Sequence, residues 1–174
     1  MQVVLIALGC PGVGKSSLLL NFAQDIVPDW PEDHLYGFFV DRTINLLGHE
    51  VTVRLRDTEG IDFRNVPSTS VYRGVEGVVF VYDVTNEDTF LDIDNYIDQA
   101  AFATAPDVPK ILVGNKSDLP RERKITFERG AAFAKLRNFS FYETSVVSGL
   151  NVEELFVGLA AEIITKKLCE TNIQ

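Results

Sequence analysis

Residues 3–24 read VVLIALGCPGVGKSSLLLNFAQ, and the fold turns on what lies between the two apolar runs. Residues 3–8 are continuously apolar and β-branched, the pattern of a strand covered on both faces. Residues 9–16 then match G-x-x-x-x-G-K-[ST]. Glycines let a backbone curl until several N–H groups face one anion, and a helix opening at Lys15 adds the positive end of its dipole. In such a loop Gly9, Pro11, Gly12, Val13 and Gly14 wrap the phosphates, and Lys15 reaches the β and γ groups. Ser16 offers a hydroxyl to Mg²⁺, with Ser17 beside it in the first turn. Pro11 has no N–H and donates nothing, although its fixed φ suits a tight loop. The competing reading is a plain glycine-rich turn. The strand before and the helix after argue against it.

Outward from this loop, strand and helix patterns alternate. Runs at 38–47 and 51–55 read as two β segments joined by a turn at LGHE, residues 47–50. Apolar runs at 77–84 and 110–115 predict buried strands, and FSFYETS at 139–145 predicts another. Helical spacing occupies 88–105, with Phe90, Ile93, Ile97 and Ala101 on one face, and also 126–136 and 152–168. Asn151 is the expected N-cap of the last helix, Glu153 and Glu154 open it, and Lys166 and Lys167 close it. The alternation predicts an α/β fold with a mostly parallel sheet wrapped on both sides, in one domain over 1–174.

Three further motifs sit at predicted strand ends. DTEG, 57–60, places Asp57 to hold Mg²⁺ through water and Gly60 to offer its N–H to a terminal phosphate. Alone it is a weak signal. NKSD, 115–118, supplies the Asp118 carboxylate, which can accept from both N1–H and N2–H of guanine. Adenine has no such pair, and a site built for one pattern rejects the other by ~10⁴-fold or more. Asn115 would tie this loop to the phosphate loop, and the Lys116 stem would cover the base. A solvated polar turn before Pro120 is the bland alternative. In ETSVV, 143–147, a tight turn would bring the N–H groups of Ser145 and Val146 to the guanine oxygen.

In this order the motifs resemble the small GTPases of the Ras superfamily, over nearly the whole chain. The likeness to the Rab branch is strongest in YRGVEGVVFVYDVTNEDTF, 72–90, and ILVGNKSDLP, 111–120. The resemblance implies a P-loop small G-domain with a six-stranded sheet, one antiparallel edge strand and five flanking helices. It also implies GTP or GDP with Mg²⁺ as cofactors. Effector or regulatory proteins would bind through two switch segments.

The chain departs from that family in both switches. No serine or threonine lies between Ser17 and Thr43, so Leu35 stands where the family has its Mg²⁺-binding threonine. Leucine has no ligand oxygen, which leaves Tyr36 or Asp33 for any side-chain role there. Ile61 occupies the place of the water-orienting glutamine and has neither donor nor acceptor. Glu59 and Asp62 make the same loop acidic. Val27 replaces the aromatic that edges the guanine, with Trp30 the nearest substitute. No catalytic residue is therefore assigned.

The expected function is guanine-nucleotide binding with slow or impaired hydrolysis, as a switch or scaffold. One alternative is a pseudo-GTPase with structural nucleotide, binding partners around Phe38, Phe39 and Tyr72. Another is a GTPase that works through Glu59. A nucleotide-kinase reading of GxPGxGK needs an arginine lid, for which only Arg121 and Arg123 offer themselves.

Bulk properties narrow the class. A net charge of −9 disfavours nucleic acid or anionic lipid as partners. The 46% apolar and 24% charged fractions are those of a globular protein. Cys10 and Cys169 give no disulfide framework. No run approaches the ~20 apolar residues of a membrane span. Gln2 excludes myristoylation, and KKLCETNIQ is no prenylation box. The expected location is cytoplasmic, with no direct lipid anchor and membranes reached only through a partner.

Overall fold

The computed structural model describes residues 1–24, 39–58 and 71–171, and its strands follow the apolar runs. β1 (Gln2–Leu8), β4 (Gly77–Asp83) and β5 (Lys110–Asn115) form the middle of the sheet, and β4 is buried at every residue. With β2 (Phe39–Leu46), β3 (His49–Arg56) and β6 (Ser140–Glu143) they make a six-stranded sheet in the order β2-β3-β1-β4-β5-β6. Every pairing is parallel except β2 with β3, which runs antiparallel from Phe39 opposite Arg56 to Leu46 opposite His49. The turn is tighter than LGHE suggested. Leu47 and Gly48 alone make it, with φ of 52° and 78°, and the positive φ at both matches the twist of the flanking strands.

Five helices lie among the described residues: α1 (Lys15–Gln24), α2 (Glu87–Leu91), α3 (Ile93–Ala103), α4 (Phe127–Leu136) and α5 (Val152–Thr171). Strand alternation divides the core. Val3, Leu5 and Ala7 meet Leu18, Phe22, Phe156 and Leu159 of α1 and α5 on one face. Ile6, Leu8 and Phe80 meet Phe90, Ile93 and Ala134 of α2, α3 and α4 on the other.

The single helix expected over 88–105 is two. The Asn86 side chain accepts from the Asp88 N–H and starts α2, which ends at Asp92. The new helix is re-phased, so that Ile93 and Ala100 are buried and Ala101 is exposed. Positions 93, 97 and 100 face the sheet at i, i+4 and i+7 spacing.

The ends of α5 also differ from expectation. Asn151 has φ of 57°, and its Nδ2 donates to the Glu143 carbonyl at 2.7 Å, tying the helix start to β6. Lys166 and Lys167 lie inside the helix, not in its last turn. They pair with Asp107 and with Glu76, the latter at 2.5 Å. Cys169 is exposed on α5. Among the described residues no helix is long and apolar enough to cross a membrane.

Candidate nucleotide-binding site

In open parallel sheets the loops after the strands gather at the carboxyl edge, and here those after β1, β3, β5 and β6 carry the four motifs. The phosphate loop is shaped by contacts that admit no other residue type. A Cβ on Gly9 would collide with the Val81 carbonyl oxygen, and one on Gly14, at φ 95°, with Nδ2 of Asn115. Val13 has its side chain wholly in the core, which pins the loop from beneath. Pro11 and Gly12 form the exposed rim.

Lys15 is only 2% exposed, and its Nζ donates to the carbonyls of Gly9 at 2.9 Å and Cys10 at 2.8 Å. A buried ammonium needs such partners. Held there, it centres positive charge inside the loop at the start of α1. Ser16 and Ser17 follow in the first turn, both partly buried. Oγ of Ser16 donates to Oδ2 of Asp57 at 2.5 Å, so the two expected metal ligands are brought together. Thr58 fixes the end of β3 by donating to the Ala7 carbonyl at 2.6 Å.

The second half of the site is joined to the first through Asn115. Its Nδ2 donates to the Val13 carbonyl at 2.9 Å, and its Oδ1 accepts from Thr144 Oγ1 at 3.0 Å. Ser117 adds two bonds to the Thr144 carbonyl, from its N–H at 3.1 Å and its hydroxyl at 3.0 Å. Lys116 Nζ donates to the Gly12 carbonyl at 2.8 Å and pairs with Asp83 at 2.7 Å. Asp118 is exposed beyond it.

Ser145 is fully buried. Its N–H donates to the Leu150 carbonyl at 3.2 Å, and its Oγ accepts from the Ser148 N–H. Of the amides expected at a base oxygen, that of Ser145 is thus engaged within its own turn, and Val146 follows it. Arg123 forms a bidentate pair with Glu143 at 2.6 and 2.9 Å, which fixes it to β6 and removes it as a lid arginine.

Gly60 and Ile61 lie outside the described residues, as do Glu59, Asp62, Val27, Trp30, Asp33, Leu35, Tyr36 and Phe38. Tyr72 is 3% exposed and therefore belongs to the core, not to a partner surface. Phe39 is half exposed, with the guanidinium of Arg56 4.5 Å from its ring centroid. Sequence reasoning missed Asp83, Thr58 and Thr144. A carboxylate closing an entirely apolar strand was the available signal for Asp83, since a buried carboxylate requires a partner.

The Ras family model matches residues 4–165. The chain belongs to the Ras family of small GTPases. It is 37% identical over 163 residues to the Ras-related protein Rab-1D of Dictyostelium discoideum, covering 91% of this chain and 78% of that protein. It is 38% identical to the Ras-related protein RABD2a of Arabidopsis thaliana, with 91% and 78% covered. For the human Ras-related protein Rab-8B the identity is 37%, with 93% and 78% covered. These relatives place it near the Rab branch, within a family of nucleotide-binding switch proteins. The sheet that the family resemblance implies is the one observed, including the antiparallel edge strand.

Proposed function

We propose that this Rab-like GTPase binds GTP or GDP with Mg²⁺ across the phosphate and NKSD loops and hydrolyses GTP slowly. Asn115 carries the reading: one side chain locks the carbonyl of Val13 to the hydroxyl of Thr144, so the phosphate and base loops hold a fixed separation. The backbone of Gly9, Pro11, Gly12, Val13 and Gly14 lines the phosphates, with Lys15 aimed by its two carbonyl contacts and Ser17 beside them. Asp118 accepts from the guanine edge, and Lys116 lies over the ring. The turn at Ser145 presents the Val146 N–H to the base oxygen, and Gly60 offers its own to the terminal phosphate. The whole of 1–174 acts as one G-domain, cytoplasmic, with membranes reached through a partner.

The donor chemistry fits Mg²⁺. Ser16 and Asp57 are hard oxygen ligands. Two protein oxygens are few for an octahedral ion, and water and phosphate oxygens would supply the rest. When bound, the ion neutralises phosphate charge as a Lewis acid.

Slow hydrolysis is supported by Ile61, which cannot orient a water, and by Leu35, which cannot ligate metal. Intrinsic turnover in the Ras type is ~10⁻⁴ to 10⁻³ s⁻¹, and this chain should fall below it. The loss of both switch side chains also favours a second reading, a pseudo-GTPase with nucleotide as a structural cofactor. Hydrogen exchange across 28–40 and 57–73 decides between them: equal protection with GDP and a GTP analogue selects the second.

The first test is to denature the purified protein and identify the released nucleotide. GTP in excess is expected. Predominant GDP, followed by single-turnover hydrolysis at the usual family rate, would overturn slow hydrolysis. Lys15→Ala should abolish binding, and full affinity in that variant would sink the phosphate-loop assignment.

A further inference from the structure

Asp83 terminates β4 and is 7% exposed; its backbone lies opposite Asn115 in the β4–β5 pairing, and its side chain pairs with Lys116 of the NKSD motif. Its surroundings are arranged to hold a carboxylate. Oδ1 accepts from the Thr85 N–H at 2.8 Å and the Thr85 hydroxyl at 2.7 Å, which leaves Oδ2 aimed at the Lys116 ammonium 2.7 Å away. The backbone is fixed too: the Asp83 N–H donates to Thr89 Oγ1, and the Val84 N–H to the Asn115 carbonyl, each at 3.0 Å. Burial pushes the Asp83 carboxyl up, but the bonds from Lys116 and Thr85 outweigh it and keep the group below the ordinary carboxylate value.

Lys116 needs an anchor of this kind. It sits at φ 63°, in the left-handed region that a lysine seldom adopts, and its side chain is 35% exposed. A long, rotamer-rich side chain at such a position would ordinarily sample solvent. Here its Nζ is shared between the Asp83 carboxylate and the Gly12 carbonyl. The stem is therefore stretched from the NKSD loop to the phosphate loop.

We infer that Asp83 is a positioning residue for nucleotide retention, acting through Lys116 by holding its side chain as a strap over the base and against the rim of the phosphate loop. The inference rests on the proposed placement of guanine beneath Lys116. The charge of Asp83 is neutralised locally, so it sets Lys116 without presenting an unpaired anion to the phosphates.

The test is a double-mutant cycle on the Mg²⁺-loaded protein, read as the dissociation rate of a fluorescent GDP. Lys116→Ala and Asp83→Ala should each raise the rate by about three- to tenfold, the range of a charge-assisted bond discounted for partial exposure. In the Lys116→Ala background, Asp83→Ala should add less than about twofold, because coupled residues are not additive. Equal effects in both backgrounds would assign Asp83 to the turn alone and overturn the proposal. Unchanged dissociation in Asp83→Ala, with Lys116→Ala still fast, overturns it but leaves guanine under Lys116. Slow dissociation in Lys116→Ala refutes that placement and the proposal with it. Should Asp83→Ala not fold, Asp83→Asn keeps the Thr85 bonds and replaces it in the same cycle, with the same outcomes decisive.

Discussion

Tyr72 shows how one side chain can be misassigned. As an aromatic beside a switch segment it looks like a partner surface, but its hydroxyl is buried with no hydrogen-bond partner among the described residues. Burial pushes that hydroxyl up to about 12. The unfolded chain ionises near pH ~10 and the folded one does not. Stability present below pH ~10 is therefore lost as pH rises through about 12, because the unfolded state releases its proton first. The buried Tyr82 hydroxyl is raised in the same direction, also chiefly by burial. Tyr72→Phe should be neutral or stabilising at pH 7 and should recover roughly 2 kcal/mol of the alkaline loss by pH 12. Urea midpoints at pH 7 and above pH 10 check this, and an unaltered alkaline slope would mean that Tyr72 is not the group titrating. Burial of this kind depends on which strands neighbour one another, so no local pattern announces it.

Helices were legible where apolar spacing stayed regular and illegible where one polar residue resets it. Nothing in the spacing of Phe90, Ile93 and Ile97 betrays the break at Asp92, since these residues remain on the sheet side in both geometries. Only Ala100 replacing Ala101 records it. The reverse holds for α4, whose start at Thr126 was read correctly. The Thr126 hydroxyl accepts from the Arg129 N–H at 3.2 Å, satisfying a donor that the helix cannot. Thr126→Ala should cost about 1 kcal/mol in urea unfolding with an unchanged m-value. A loss below a few tenths would place the start signal elsewhere. The strands were legible throughout because β1, β4 and β5 are buried on both faces and need no alternation. The sheet order and the turn at Leu47 and Gly48 depend on pairing, which one sequence does not display.

The site draws on loops after β1, β3, β5 and β6, so a ligand that bridges them should stabilise the sheet as a unit. Guanine nucleotide at about a thousand times its Kd should raise unfolding free energy by ~4 kcal/mol over nucleotide-free protein. ATP at the same concentration should give no shift, and chelating Mg²⁺ should reduce that due to GTP. Thermal unfolding reads all three, and an equal shift with ATP would withdraw the guanine assignment. The motifs made this whole-site prediction possible from residue types alone. The tie between its halves was only partly visible, because Thr144 carries no signature until the strands are assembled, and the carboxylate closing β4 calls for a partner without naming it.

The bond between Thr144 and Asn115 also has a temporal consequence. The phosphate loop at residues 9–16 is made well before the Thr144 hydroxyl that orients Asn115. An unfinished chain lacking it has phosphate amides without a set base pocket. On the proposed function, nucleotide capture therefore waits for Thr144 to be made, and the chain up to that residue folds without that ligand.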